Sequence, residues 1–198
     1  MMLKMILAMD LDGCIGKENG LPWRLQSDML RFKRLTIGQG NSAVLMGRTT
    51  WETIPERFRP LVDRINIVVT RNRNYALSDA HVTYSIENGI EHASNNNCDE
   101  CWIIGGADVY EQCRDLVDEI HLTSVETSNS GDIKVGMFGD EWNREIIESS
   151  IAKHKSMGGQ KHISTRNIIL TGSCYTWLLH LLVIFLVLVN CFGLQGTI

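Results

Sequence analysis

The chain reads as a single α/β domain built on a mainly parallel sheet. Three observations predict this. Short apolar runs, several rich in β-branched residues, recur from residue 3 to residue 125. Helix-like segments with start and stop signals separate them. Glycines and arginines stand just after several of the runs, where open α/β sheets bind their ligands.

Residues 3–9 form the first run, which ends at Asp10 and reads as a buried strand. Residues 10–20, carrying Gly13, Gly16 and Gly20, read as a loop. Ser27 is placed to cap a helix that continues to Thr36 and stops at Gly38 and Gly40. Residues 43–46 are a second buried strand, ended by Gly47; a short helix follows through Trp51 and is stopped by Pro55. Residues 64–70, with Ile65, Ile67, Val68 and Val69, are a third strand, and residues 82–85 a fourth. Residues 86–94 read as a helix weakened by Gly89. Residues 102–104 form a fifth strand that runs through Gly105-Gly106 into a helix over 107–114. Residues 119–125 are a sixth strand, and 145–152 with 165–171 a closing pair.

Length and composition narrow the function. A chain of 198 residues holds one domain with a full core and a short appendage. A formal net charge of −4 carries no polyanion-binding signature, so no nucleic-acid partner is expected. The apolar stretch at residues 5–9 is too short for an export signal, and the six scattered cysteines then read as reduced thiols. Cys98 and Cys101 have metal-like spacing but no second pair to match, so no metal site is expected. Nucleophile-elbow, zinc-protease and Walker motifs are absent from the sequence.

Asp28 is the most informative position. It lies in the first turn of its helix, with Phe32 at i+4 and Leu35 at i+7, so it opens an apolar stripe. One reading is an acidic residue favoured by the helix dipole. The other is a carboxylate in an apolar pocket that awaits a cationic or amidine-like ligand. Gly105-Gly106, between a strand and a helix, suits close backbone approach to a phosphate, although it is not the GxGxxG fingerprint. Arg48 and Arg71 follow strand ends, where a solvated charge and a phosphate ligand are both open readings.

Six segments then occur in order: Ile15-Gly-Lys-Glu-Asn-Gly-Leu-Pro-Trp23, Asp28 with Phe32-Lys33, Val44-Leu-Met-Gly-Arg-Thr-Thr-Trp-Glu-Thr-Ile54, Asn66-Ile-Val-Val-Thr-Arg71, Ile104-Gly-Gly-Ala-Asp-Val-Tyr-Glu-Gln112 and His121-Leu-Thr123. Together they resemble the dihydrofolate reductases of bacterial and phage type, over residues 3 to about 150. The resemblance implies a three-layer fold with an eight-stranded, mostly parallel sheet and four helices. It implies hydride transfer from NADPH to dihydrofolate in a cytoplasmic, monomeric enzyme. Asp28 would hold the pterin amino group and ring N3. Ile6, Ala8, Met29, Phe32, Lys33, Ile54 and Leu61 would line the substrate site, with Thr123 supporting Asp28. Arg64 would grip the glutamate α-carboxylate, a task suited to its fork. Leu21 and Trp23 would belong to a loop that closes over the nicotinamide. Ala8, Ile15, Gly16, Gly20, Gly47, Arg48, Thr49, Thr50, Thr70 and Arg71 would contact the cofactor. So would Ile104, Gly105, Gly106, Ala107, Asp108, Val109 and Tyr110, with the glycine pair joined by a cis peptide. Another pteridine- or flavin-pathway reductase of this architecture, or a non-catalytic folate-binding protein, is the alternative.

The resemblance fades after about His154. Residues 162–170 lack the aromatics of the family's closing strand, which leaves completion of the sheet by the last strand in question. The division expected is a reductase domain over 1–172 and an apolar tail over 173–198. Within the tail, residues 175–194 are barely long enough to span a bilayer, with Lys155, Lys161 and Arg166 on their amino-terminal side. A tail anchor with the enzyme facing the cytosol, an aberrant terminus and a docked extension all remain open.

Overall fold

The computed structural model describes residues 1–172 except 18, 19, 21, 24, 129, 130, 157 and 158, with backbone only for 152–162. The expectations for Leu21 and for the tail therefore lie outside the described residues.

The strands are β1 (Met2–Asp10), β2 (Cys14–Gly16), β3 (Ser42–Gly47), β4 (Ile65–Val69), β5 (His81–Thr83), β6 (Glu100–Ile103), β7 (Glu119–Val125), β8 (Ile133–Lys134), β9 (Trp142–Ser156) and β10 (Gly159–Gly172). The α-helices are α1 (Gln26–Ile37), α2 (Arg48–Thr53), α3 (Ile86–Asn95) and α4 (Ala107–Cys113). Eight strands form one sheet in the order β5-β4-β3-β6-β1-β7-β10-β9. Pairing is parallel from β5 to β7, and β10 runs antiparallel to both β7 and β9. The remaining pair, β2 with β8, is a small antiparallel ribbon.

Alternation along the strands explains the three layers. Leu3, Met5, Leu7 and Met9 of β1 join Leu45, Ile67, Ile103, Ile120 and Leu122 on one face, under Ile86 and Ala93 of α3 and Val109 and Tyr110 of α4. Ile6, Val44, Met46, Val68 and Trp102 occupy the other face, under Phe32 and Leu35 of α1 and Trp51 of α2.

Four sequence readings need correction. First, α1 starts before Ser27: its N-cap is Leu25, which makes no side-chain cap hydrogen bond. Leu25 is buried with Trp23 and Val125, so packing rather than a hydroxyl fixes the helix start. Second, residues 10–20 are not all loop. Asp10 Oδ1 accepts from the amides of Asp12 and Cys14 at 2.9 Å each, turning the chain into β2. Third, Gly89 does not mark a weak helix: a Cβ there would lie 2.7 Å from Leu45 Cδ1, so its absence lets α3 approach the sheet, and Ser85 caps the helix. Fourth, the last strand does complete the sheet, with residues 165–171 in unbroken register against β7. Ile168 and Leu170 supply the inward apolar positions without aromatics.

Candidate active site

The carboxyl ends of β1, β3, β4 and β6 open on a cleft of about 1430 Å³. Strand connections leave β1 towards β3 on one side and arrive at β7 on the other, so the cleft lies where such sheets bind ligands.

One half of the cleft is apolar around a carboxyl. Its walls are Ile6, Ala8, Met29, Phe32, Ile54 and Leu61, with Lys33 and Arg64 at the rim and Asp28 within. Burial pushes the Asp28 carboxyl pKa up; a hydrogen bond from Thr123 and the charge of Arg31 pull it partly back. Thr123 Oγ1 lies 2.6 Å from Asp28 Oδ1 and 3.1 Å from Asn167 Oδ1. Thr123 and Trp23 are not on the cleft wall: Thr123 stands behind Asp28, and Trp23 packs with Leu25 and Val125. The Trp23 Nε1 is buried and has no hydrogen-bond partner among the described residues.

Arg64 is set by its neighbours. Its Nη1 donates to Thr36 Oγ1 at 2.7 Å, its Nε donates to Val62 O at 3.0 Å, and its guanidinium lies 5.9 Å from the Phe32 ring centre. Asn66 shapes the turn that carries it: Nδ2 donates to the carbonyls of Leu61 and Arg64, and Oδ1 accepts from the Leu61 amide, each at 2.9 Å. Burial lowers the Arg64 pKa and Asp63 opposes the shift.

The other half is walled by Gly47, Arg48, Thr49 and Thr50, by Thr70 and Arg71, and by the stretch from Ile104 to Tyr110. Ile15, Gly16 and Gly20 reach it from the opposite side. Its glycines pack closely against α2 and α4. A Cβ on Gly106 would lie 3.2 Å from Thr50 Oγ1, and one on Gly47 3.3 Å from Val109 Cγ2. Gly105 has a φ of 106°, and its Cβ would meet the Tyr110 ring at 3.0 Å. The Gly105-Gly106 peptide is cis, as the resemblance implied. Tyr110 anchors α4 by donating to Ile6 O at 2.9 Å. Arg48 pairs with Glu52 at 3.1 Å one helical turn away.

Three residues behind Asp28 escaped the sequence reading: Arg31, Glu148 and Asn167. Arg31 follows Asp28 by three positions on α1, whereas Glu148 and Asn167 come from β9 and β10. Nothing in the sequence singled out Asn167, which stands in the closing strand beside the polar Ser164, Thr165 and Arg166. No group of His, Cys, Asp and Glu among the described residues could hold a metal ion.

The chain is also similar to known proteins. A family model described as "Dihydrofolate reductase" matches residues 2–169. The dihydrofolate reductase of Bacillus subtilis is 35% identical over 148 residues, covering 75% of this chain and 83% of that protein. That of Mycobacterium leprae is 35% identical over 141 residues, covering 70% and 82%. The dihydrofolate reductase from Enterococcus faecalis, solved with NADP(H) and RAB-propyl, superposes with a TM-score of 0.69 at 26% identity, covering 87% of this chain and 97% of that one.

Proposed function

The chain belongs to the dihydrofolate reductase family, and from that premise we propose that it reduces 7,8-dihydrofolate to tetrahydrofolate with a hydride from NADPH. The observation that carries the reading is a half-buried carboxyl, Asp28, in the apolar half of a cleft whose other half is lined by Gly47, Gly105 and Gly106.

The second half fits the cofactor. Gly105 and Gly106 line this half without side chains, and Arg48, Arg71, Thr49, Thr50 and Thr70 supply donors for phosphate groups. When bound there, NADPH supplies the hydride. The rest is the work of this chain. Asp28 hydrogen-bonds the pterin amino group and ring N3; ionised, it favours a protonated ring electrostatically, and protonated, it stores the proton that water carries to the ring. Phe32, Ile54 and Ile6 pack on the pterin and keep water from it. Arg64 holds the α-carboxylate of the glutamate, and its bonds to Thr36 and Val62 orient the guanidinium for that task. The proton needed at the pterin comes through water, in equilibrium with Asp28.

The enzyme is proposed to act as a cytoplasmic monomer. Cys14, Cys98, Cys101 and Cys113 are free thiols, which supports a reducing compartment. No helix among the described residues is long and apolar enough to cross a membrane. Steady-state turnover of dihydrofolate with NADPH and with NADH tests the reading. Dihydrofolate-dependent oxidation that prefers NADPH supports it; no oxidation above the rate without dihydrofolate refutes it.

A further inference from the structure

Thr123 has one hydroxyl proton and two acceptors within reach, Asp28 Oδ1 at 2.6 Å and Asn167 Oδ1 at 3.1 Å. The Asn167 amide is oriented by its other end. Its Nδ2 donates to Glu148 Oε2 at 3.1 Å, so its oxygen faces Thr123. Register makes this a single row across the sheet: Ala8 pairs with Thr123, Thr123 with Asn167, and Asn167 with Glu148. A separate cavity of about 450 Å³, lined by Ser27, Arg31, Glu148, Thr165 and Asn167, reaches Asp28 from behind.

We propose that Asn167 is a positioning residue for the reduction: it competes for the Thr123 hydroxyl proton, with its orientation fixed by Glu148, and so favours the protonated form of Asp28. The inference rests on the reading of Asp28 as the pterin-binding carboxyl. When Asp28 is ionised, the Thr123 hydroxyl donates its hydrogen bond to the carboxylate, and Asn167 Oδ1 loses that donor. When Asp28 is protonated, its O–H donates to Thr123, Thr123 donates to Asn167, and Asn167 donates to Glu148. Every link in the row is then satisfied in one direction. No bond to carbon changes. The proton on Asp28 comes from water, and the rear cavity gives water a path to it.

The charges around Asp28 do not remove the effect. Arg31, on the same helix, attracts the carboxylate but is shared with Glu148 of β9. Tyr110 of α4 faces Asp28 as a neutral phenol, because burial raises its pKa. Arg34 lines the rear cavity, Lys33 and Arg64 the front cleft, and His121 of β7 faces Arg31. From β7 the uncharged Thr123 bonds Asp28 directly, and from β10 the uncharged Asn167 reaches it through Thr123.

The test is the pH dependence of single-turnover hydride transfer in the full chain, for the parent protein, Asn167→Val, Glu148→Leu, Glu148→Gln and Asp28→Asn. Asn167→Val is expected to lose about three- to tenfold on the alkaline side, one neutral hydrogen bond's worth, and to keep the acid-side plateau and the NADPH affinity. Glu148→Leu frees the amide to turn and is expected to move the profile the same way. Glu148→Gln keeps an acceptor for Nδ2 and is expected to restore the parent profile. An unmoved Asn167→Val profile overturns the proposal, as does a Glu148→Gln profile displaced as far as that of Glu148→Leu, which would make charge the cause. If Asn167→Val does not fold, the Glu148 pair decides. Asp28→Asn separates the two levels. Full turnover in that variant overturns the site reading itself, whereas a crippled Asp28→Asn beside an unmoved Asn167→Val overturns only the role of Asn167.

Discussion

At Asp28, burial lifts the carboxyl pKa above its ordinary 3.8, and Thr123 and Arg31 offset only part of the rise. The consequence for stability has a definite sign. Between pH 3.8 and the raised value, the folded chain keeps a proton that the unfolded chain has released. Stability therefore falls as pH rises through that window and stays lower at neutral pH. Asp28→Asn keeps the shape and an acceptor for Thr123 while removing the charge, so at neutral pH the ligand-free variant is expected to melt higher than the parent. Below pH 3.8 the advantage vanishes, which a pair of thermal melts checks. Arg64→Ala is expected to raise the Michaelis constant for dihydrofolate by roughly ten- to a hundredfold, the scale of one charge-assisted contact, with a much smaller effect on turnover number. Steady-state kinetics with glutamylated and non-glutamylated substrate read both numbers. Asp28 was legible because its helix stripe, with Phe32 and Leu35, is a local pattern. Asn167 and Glu148 were not, because they reach Asp28 only through the register of β7, β10 and β9.

At the scale of elements, α3 sets two effects against each other. Alanine at position 89 would gain about 1 kcal/mol of helix propensity over glycine. Its Cβ would also meet Leu45 Cδ1 at 2.7 Å and Ile67 Cγ2 at 3.2 Å, and both side chains are fully buried. Overpacking of that kind costs about 1–3 kcal/mol, so Gly89→Ala is expected to destabilise by about 1 kcal/mol net. The denaturation midpoint measures it, and a higher midpoint would show that propensity wins. The start of α1 was misread for a related reason: the burial of Leu25 with Trp23 and Val125 outweighs the capping preference of Ser27. The ribbon of β2 and β8 was missed because strands of three and two residues carry no periodic signal. Strand β10 forms because aliphatic Ile168 and Leu170 hold the alternation that aromatics were expected to supply.

Across the described residues, the parallel strands and helices α1 to α4 were readable because each is a contiguous run with its own punctuation. Every residue assigned to substrate, cofactor or their support lies at or before Asn167, and β10 ends at Gly172. Deleting residues 173–198 removes none of these residues and is expected to leave NADPH-dependent turnover within about twofold of the full chain. Loss of activity in the shortened chain, with activity in the full one, would assign the tail a part in the sheet. The proposed role of the half-buried Asp28 carboxyl is to enable hydride transfer to a pterin bound beside the cofactor. Its most direct measurement is the single-turnover hydride-transfer rate at neutral pH in the parent and in Asp28→Asn, both saturated with NADPH and dihydrofolate. A loss of about 10²–10⁴-fold is expected in the variant, with NADPH affinity unchanged. Equal rates in the two proteins would contradict it.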